Sequence, residues 1–258
     1  MGQPLKQNLN LPGFAPQTSE SEIIISRDQY VISYNKEKRA PNWAAWELDP
    51  SRLGNSGRSQ NFSQDSQLES YLNQNDHQYQ AVTPEEYKGS CFDRGHQVPS
   101  ADRTRNSSDN QMTFMMSNMI PQTPYLNRVI WVHLETYTRE LVTRENKKVF
   151  VVAGPIYDQD IGSIGPKRDI PIPSKNFKLI FMLDQNQTAR DIDAKTPVIA
   201  AIFPNVNRDG SPISDLRKCP PMNAQAGNDD VNDWKKYQTS VAEIERESGL
   251  KFFDGGLN

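Results

Sequence analysis

The sequence predicts an α+β fold built on a mostly antiparallel central sheet, and three observations carry that expectation. Short runs alternating apolar and polar residues follow residue 22, and β-branched or aromatic runs recur after residue 146. Between them lies one long segment of helical periodicity, residues 128–142. No repeat and no linker separates the strand-rich halves, so a flexible arm over 1–22 and a single domain over 23–258 are expected.

Taken in order, the first 22 residues are rich in Pro, Gln and Ser and show no periodicity, the composition of a mobile arm. "SEIIISRDQYVISYNKEKRAPNWAAWELD" reads as antiparallel strands joined by the turn "NKEKRAPN". Residues 54–80 are almost all polar and predict a long surface loop. "TPEEY" predicts a helix start, with Thr83 as N-cap, Pro84 in the first helical position and Glu86 completing a capping box. Residues 128–142 hold no Gly or Pro, place Ile130, Leu134 and Leu141 at core spacing, and follow Asn127 in the N-cap position. "KKVFVVAG", "NFKLIFMLD" and "TPVIAAIFP" predict core strands, and "TSVAEIERESGLKFF" a helix closed by Gly249.

Composition narrows the function. The 258 residues carry 29 Lys and Arg against 32 Asp and Glu, a net charge of -3, which argues against binding a polyanion or membrane over the whole surface. A local basic groove is still compatible with that balance. No stretch nears the roughly 18 apolar residues of a membrane span. The first residues lack the apolar core of a signal peptide, and Lys6 stands where a myristoylation signal needs Ser or Thr. The chain is therefore expected to stay in the cytoplasm or to begin after a removed leader. A bridge between Cys91 and Cys219 would contribute about 4 to 5 kcal/mol in the chain-entropy model, but their spacing leaves its existence open.

The chemistry concentrates in "SCFDRGHQVPSADRTRNSSDN", residues 90–110, where Arg94, His96, Arg103 and Arg105 gather without a lysine. On a strand, Arg94 and His96 share a side, and Gly95 between them permits a close backbone approach. An arginine and a histidine aimed at one point suit an anionic substrate that must be gripped and deprotonated near neutral pH. Asn127, Glu135 and Arg139 fall within about a third of one helix circumference. An amide oxygen and a carboxylate there suit Mg²⁺, which keeps most of its waters; the plainer alternative is a surface Glu135–Arg139 pair. His77 lacks such company, His133 falls mid-helix beside Trp131 and Glu135 where it packs or caps locally, and no Cys or His pair has the spacing of a structural zinc site. A phosphate-binding Gly-rich loop and a serine nucleophile elbow are both absent from the sequence.

Together, "DRGH", "PSADR", "FMMSNMIPQTPYLNR" and "HLETYTREL" resemble the DNA/RNA non-specific endonucleases of the ββα-metal class, especially the cyanobacterial sugar-non-specific nucleases. The resemblance runs from about Asp28 to "SVAEIERESGLKFF". It implies a sheet flanked by helices, with a ββα-metal motif where the "DRGH" hairpin packs on helix 128–142. It implies His96 as general base and Asn127 as direct ligand of one Mg²⁺, for which Mn²⁺ substitutes, with Glu135 orienting the ion's waters. Arg94, Arg139 and Arg58 would steady charge on the phosphoryl oxygens, and Asn118 would support His96 or the metal from behind. Hydrolysis of DNA and RNA to 5′-phosphate and 3′-hydroxyl ends is implied, with substrates held by their backbone, as are export of the mature chain and a dedicated inhibitor protein. Competing readings are an inactive nucleic-acid binder, a phosphodiesterase for small molecules, and a regulatory interaction protein.

Overall fold

A computed structural model of the chain describes residues 22–213, 219 and 229–252. The arm expected over 1–22 lies outside these residues except for Glu22, which already opens the first strand. Six strands form the central sheet: β1 (Glu22–Ser26), β2 (Val31–Asn35), β3 (Ala40–Leu48), β6 (Lys148–Ile156), β9 (Lys175–Leu183) and β10 (Val198–Pro204). They lie in the order β1-β2-β3-β6-β9-β10, and every neighbouring pair is antiparallel. The later strands read as continuous apolar runs because both faces of the sheet are covered.

Two helices cover one face. α1 (Ser66–Asn75) contributes Leu68 and Leu72, and α3 (Trp131–Thr143) contributes Leu134 and Leu141, against Ile32, Ala44, Val151 and Ile180. The opposite face packs Val152, Phe177 and Leu179 under α4 (Val241–Ser248) through Val241 and Ile244. Ser240 caps α4 by accepting from the Glu243 N–H, and Gly249 ends it in the left-handed conformation that favours glycine, φ 72°.

Beside the main sheet, β4 (Asp93–His96) pairs antiparallel with β5 (Met119–Gln122), placing His96 opposite Met119. α2 (Ser107–Met112) lies on the connection between them, and α3 follows β5, completing a ββα unit. A further short pair joins β7 (Ser163–Ile164) to β8 (Ile170–Pro171).

Three local expectations change. Residues 54–80 are not loop throughout: α1 forms because Asp65 accepts from the Leu68 N–H and Leu68 and Leu72 bury an i,i+4 stripe. The Thr83 start closes only a 3₁₀ turn, Pro84–Tyr87, although the Thr83 N–H does donate to Glu86 at 2.7 Å. Asn127 is not an N-cap. The chain turns helical at Pro124, after Thr123, whose hydroxyl accepts from the Leu126 N–H at 3.2 Å. Asn127 then lies inside a π-helical turn, Leu126–Ile130.

Candidate active site

The β4–β5 hairpin sets Arg94 and His96 on one side, as period two requires, and both line one pocket of about 530 Å³. Gly95 between them cannot carry a side chain: a Cβ there would lie 2.2 Å from Gln122 Oε1. His96 is buried between two rings, edge-on to Phe114 at 4.8 Å and to Phe62 at 5.6 Å between centroids. Among the described residues its Nε2 has no hydrogen-bond partner. Burial, reinforced by Arg58 and Arg94, lowers its pKa from the ordinary histidine value to about 3, so the imidazole is neutral at physiological pH.

The two arginines stack on the same phenylalanines, Arg94 4.1 Å from the Phe62 ring centroid and Arg58 5.0 Å from that of Phe114. Neither has a carboxylate partner among the described residues. Arg58 donates to the Ser100 hydroxyl at 2.5 Å. Their charge is thus held in place without being neutralised.

The helix supplies the other wall with Asn127, Arg128, Val132, Glu135 and Arg139. At 3.6 residues per turn Asn127 and Glu135 would differ by about 80° around the axis. The π turn closes i→i+5, takes more residues per turn and removes much of that drift. Asn127 donates its Nδ2 to Asp93 at 2.9 Å. Because a carboxylate only accepts, the Asn127 Oδ1 is turned to the other side. Arg128 grips the same Asp93 in a fork, at 2.7 and 2.6 Å.

Glu135 does not pair with Arg139, so the plain surface-pair alternative fails. Arg139 donates instead to Asp102 at 3.0 Å, and Asp102 accepts from the Trp46 indole at 2.9 Å. Glu135 faces Lys178 on β9 at 3.7 Å. Burial raises its carboxyl pKa, against the pull of Lys178, Arg139 and Arg58. Four arginines thus share the pocket with two acids, Asp93 and Glu135, giving an acidic chain a locally basic cleft.

A model of the DNA/RNA non-specific endonuclease family matches residues 8–258. The chain belongs to that family. It is 39% identical over 247 residues to a nuclease of Nostoc sp., covering 94% of this chain and 78% of that one. It is 28% identical to human mitochondrial endonuclease G, covering 94% and 71%. Among solved structures, that of an EndoG/EndoGI complex superposes with a TM-score of 0.66 at 23% identity, over 90% of this chain and 85% of the other. The protein is therefore a hydrolase acting on nucleic acids, and its family implies a divalent metal ion.

Within this endonuclease the residues singled out from sequence fall into two groups. Arg58, Arg94, His96, Asn127, Glu135 and Arg139 line the one pocket. Asn118 does not: fully buried, it clamps the chain beyond His96, accepting from the Val98 N–H and donating to the carbonyls of Val98 and Thr113. His77 and His133 also stand outside the pocket lining. Asp93 was not singled out from sequence, although it begins "DRGH" and its charge directly before Arg94 was a signal. Phe62, Asp102 and Lys178 were missed because their roles depend on contacts across the fold.

The endonuclease also carries a disulfide, Cys91–Cys219, with Cα atoms 4.9 Å apart. Cys91 stands two residues before β4 with φ 65°, a left-handed backbone that a non-glycine residue adopts only when its surroundings hold it.

Proposed function

We propose that the endonuclease cleaves DNA and RNA phosphodiester bonds by activating water on His96, with one divalent ion held by Asn127 and Glu135. The observation carrying this reading is the convergence of these three residues and three arginines, Arg58, Arg94 and Arg139, on one pocket.

The neutral His96 imidazole, with Nε2 free of hydrogen bonds to the described residues, is suited to take a proton from the attacking water. The phenylalanines fix its ring plane. Arg58 and Arg94 would meet the phosphoryl oxygens through planar forks, which match phosphate better than a lysine point charge. Arg139, steadied by Asp102, would meet the same charge from the helix side. Asn118 would act from behind the site by holding the backbone beyond His96.

The residues fit a sparsely ligated ion. Asn127 presents an oxygen because Asp93 holds its amide nitrogen, and Glu135 lines the same pocket. Among the described residues no three His, Cys, Asp or Glu side chains converge as a metal cage. Such a donor set suits Mg²⁺, which retains water ligands, with Mn²⁺ as a substitute. When bound, the ion supplies Lewis-acid polarisation of the phosphate and stabilises charge on the leaving oxygen. The products would carry 5′-phosphate and 3′-hydroxyl ends.

The disulfide supports maturation in an oxidising compartment, hence export of one endonuclease domain spanning 23–258. The solved EndoG/EndoGI complex supports a dedicated inhibitor as a partner class. Asn127→Ala tests the metal assignment: the Mg²⁺ needed for half-maximal cleavage should rise while the melting temperature in chelator holds. An unchanged Mg²⁺ titration would remove Asn127 from the site.

A further inference from the structure

Under the pocket lies a charge that the proposed chemistry does not use. Lys178 sits in the middle of β9, only 1% exposed, on the face turned toward α3. Its neighbours straight across the sheet are Ala153 on β6 and Ala201 on β10, and Ala44 on β3 lies opposite Ala153. Three alanines in one row leave room for a single long side chain, and that side chain is a lysine. Its ammonium rests 3.9 Å from the Trp131 ring centroid and 5.9 Å from that of Trp46. Among the described residues it makes no hydrogen bond, and its one ion-pair partner is Glu135 Oε1, at 3.7 Å.

A buried ammonium carries a large desolvation cost, and an apolar residue of like volume would fill the same space without that cost. The arrangement therefore points to what the charge holds. Glu135 is also nearly buried, and Arg139, one helical turn on, is engaged by Asp102. No other cation of the described residues lies within ion-pair distance of Glu135. We propose that Lys178 is a positioning residue: from the sheet beneath α3 it anchors the Glu135 carboxylate so that Glu135 meets the divalent ion in a fixed place. The aromatic faces of Trp131 and Trp46 hold the ammonium by cation–π attraction where water would otherwise do so.

This inference rests on reading Glu135 as a metal-site residue, so both are tested together. Lys178→Met, Glu135→Gln and the double variant are compared with the native protein by Mn²⁺ binding in calorimetry and by melting temperature in chelator. Expected for Lys178→Met is Mn²⁺ affinity weaker by about 10- to 100-fold, as for other partners that orient metal-binding groups, with a melting temperature in chelator that falls, because the buried Glu135 carboxylate loses its cation. In the Glu135→Gln background the same change should alter Mn²⁺ affinity less than about 2-fold, because its target carboxylate is gone.

A merely structural lysine would lower the melting temperature and leave Mn²⁺ affinity alone, and that result overturns the proposal. So does native Mn²⁺ affinity in Lys178→Met while Glu135→Gln binds weakly. Native affinity in Glu135→Gln overturns instead the reading of Glu135, and the anchor with it. If Lys178→Met shows no melting transition, Lys178→Gln, which keeps a polar tip without the charge, is judged by the same Mn²⁺ comparison.

Discussion

His96, the proposed base, is kept neutral by its surroundings. Burial first, then Arg58 and Arg94, favour the form without the proton, lowering its pKa to about 3. The free enzyme's acid limb in kcat/KM should therefore fall well below the ordinary histidine value of about 6.5. Arg94→Met removes one of the repelling charges, so the limb should move to higher pH, read from a pH–rate profile. Stability follows the same sign. Between about 6.5 and 3 the unfolded chain binds a proton that folded His96 refuses, so this contribution is whole above 6.5 and lost as pH falls toward 3. Thermal melts across that range check it, and His96→Gln should flatten the dependence. At this scale the sequence was most legible: a histidine two residues from an arginine announces itself. Phe62 and Phe114, which hold both groups, do not, because aromatic residues are ordinary core formers until the fold shows what they touch.

At the scale of elements, the helix bearing Asn127, Glu135 and Arg139 was visible in its periodicity, but its start was not. Thr123 followed by Pro124 was the capping signal, and Asn127 drew attention because it is itself a good N-cap. The π turn has no pattern that periodicity detects, since it is a one-turn widening fixed by packing. α1 was missed for a related reason: its buried stripe is only Leu68 and Leu72, too thin to stand out in a polar segment. Leu72→Ala should nonetheless destabilise the protein by about 2 to 5 kcal/mol, because Leu72 is fully buried in the core that α3 also covers. Urea denaturation measures this, and kcat per folded molecule should be unchanged.

Across the whole molecule the six-stranded sheet is a platform with the site on one side. The antiparallel sheet was readable from its apolar runs. The disulfide was not, because only the fold brings Cys91 and Cys219 together over 128 residues of sequence. In the chain-entropy model that bridge contributes up to about 5 kcal/mol, so Cys219→Ser should lower the denaturation midpoint measurably. The overall net charge of -3 misleads about the substrate, since four arginines face only two acids in the cleft that holds His96. Binding of a long oligonucleotide in chelator should weaken steeply with salt, and Arg94→Met should reduce the log–log slope by about 1.

The most direct measurement incubates the protein with supercoiled plasmid and, separately, with single-stranded RNA, each with Mg²⁺ or EDTA, beside His96→Ala. Expected is degradation of both polymers, abolished by EDTA and slowed about 10²- to 10⁴-fold in the variant. Near-native turnover by a folded His96→Ala protein would contradict His96 as the base.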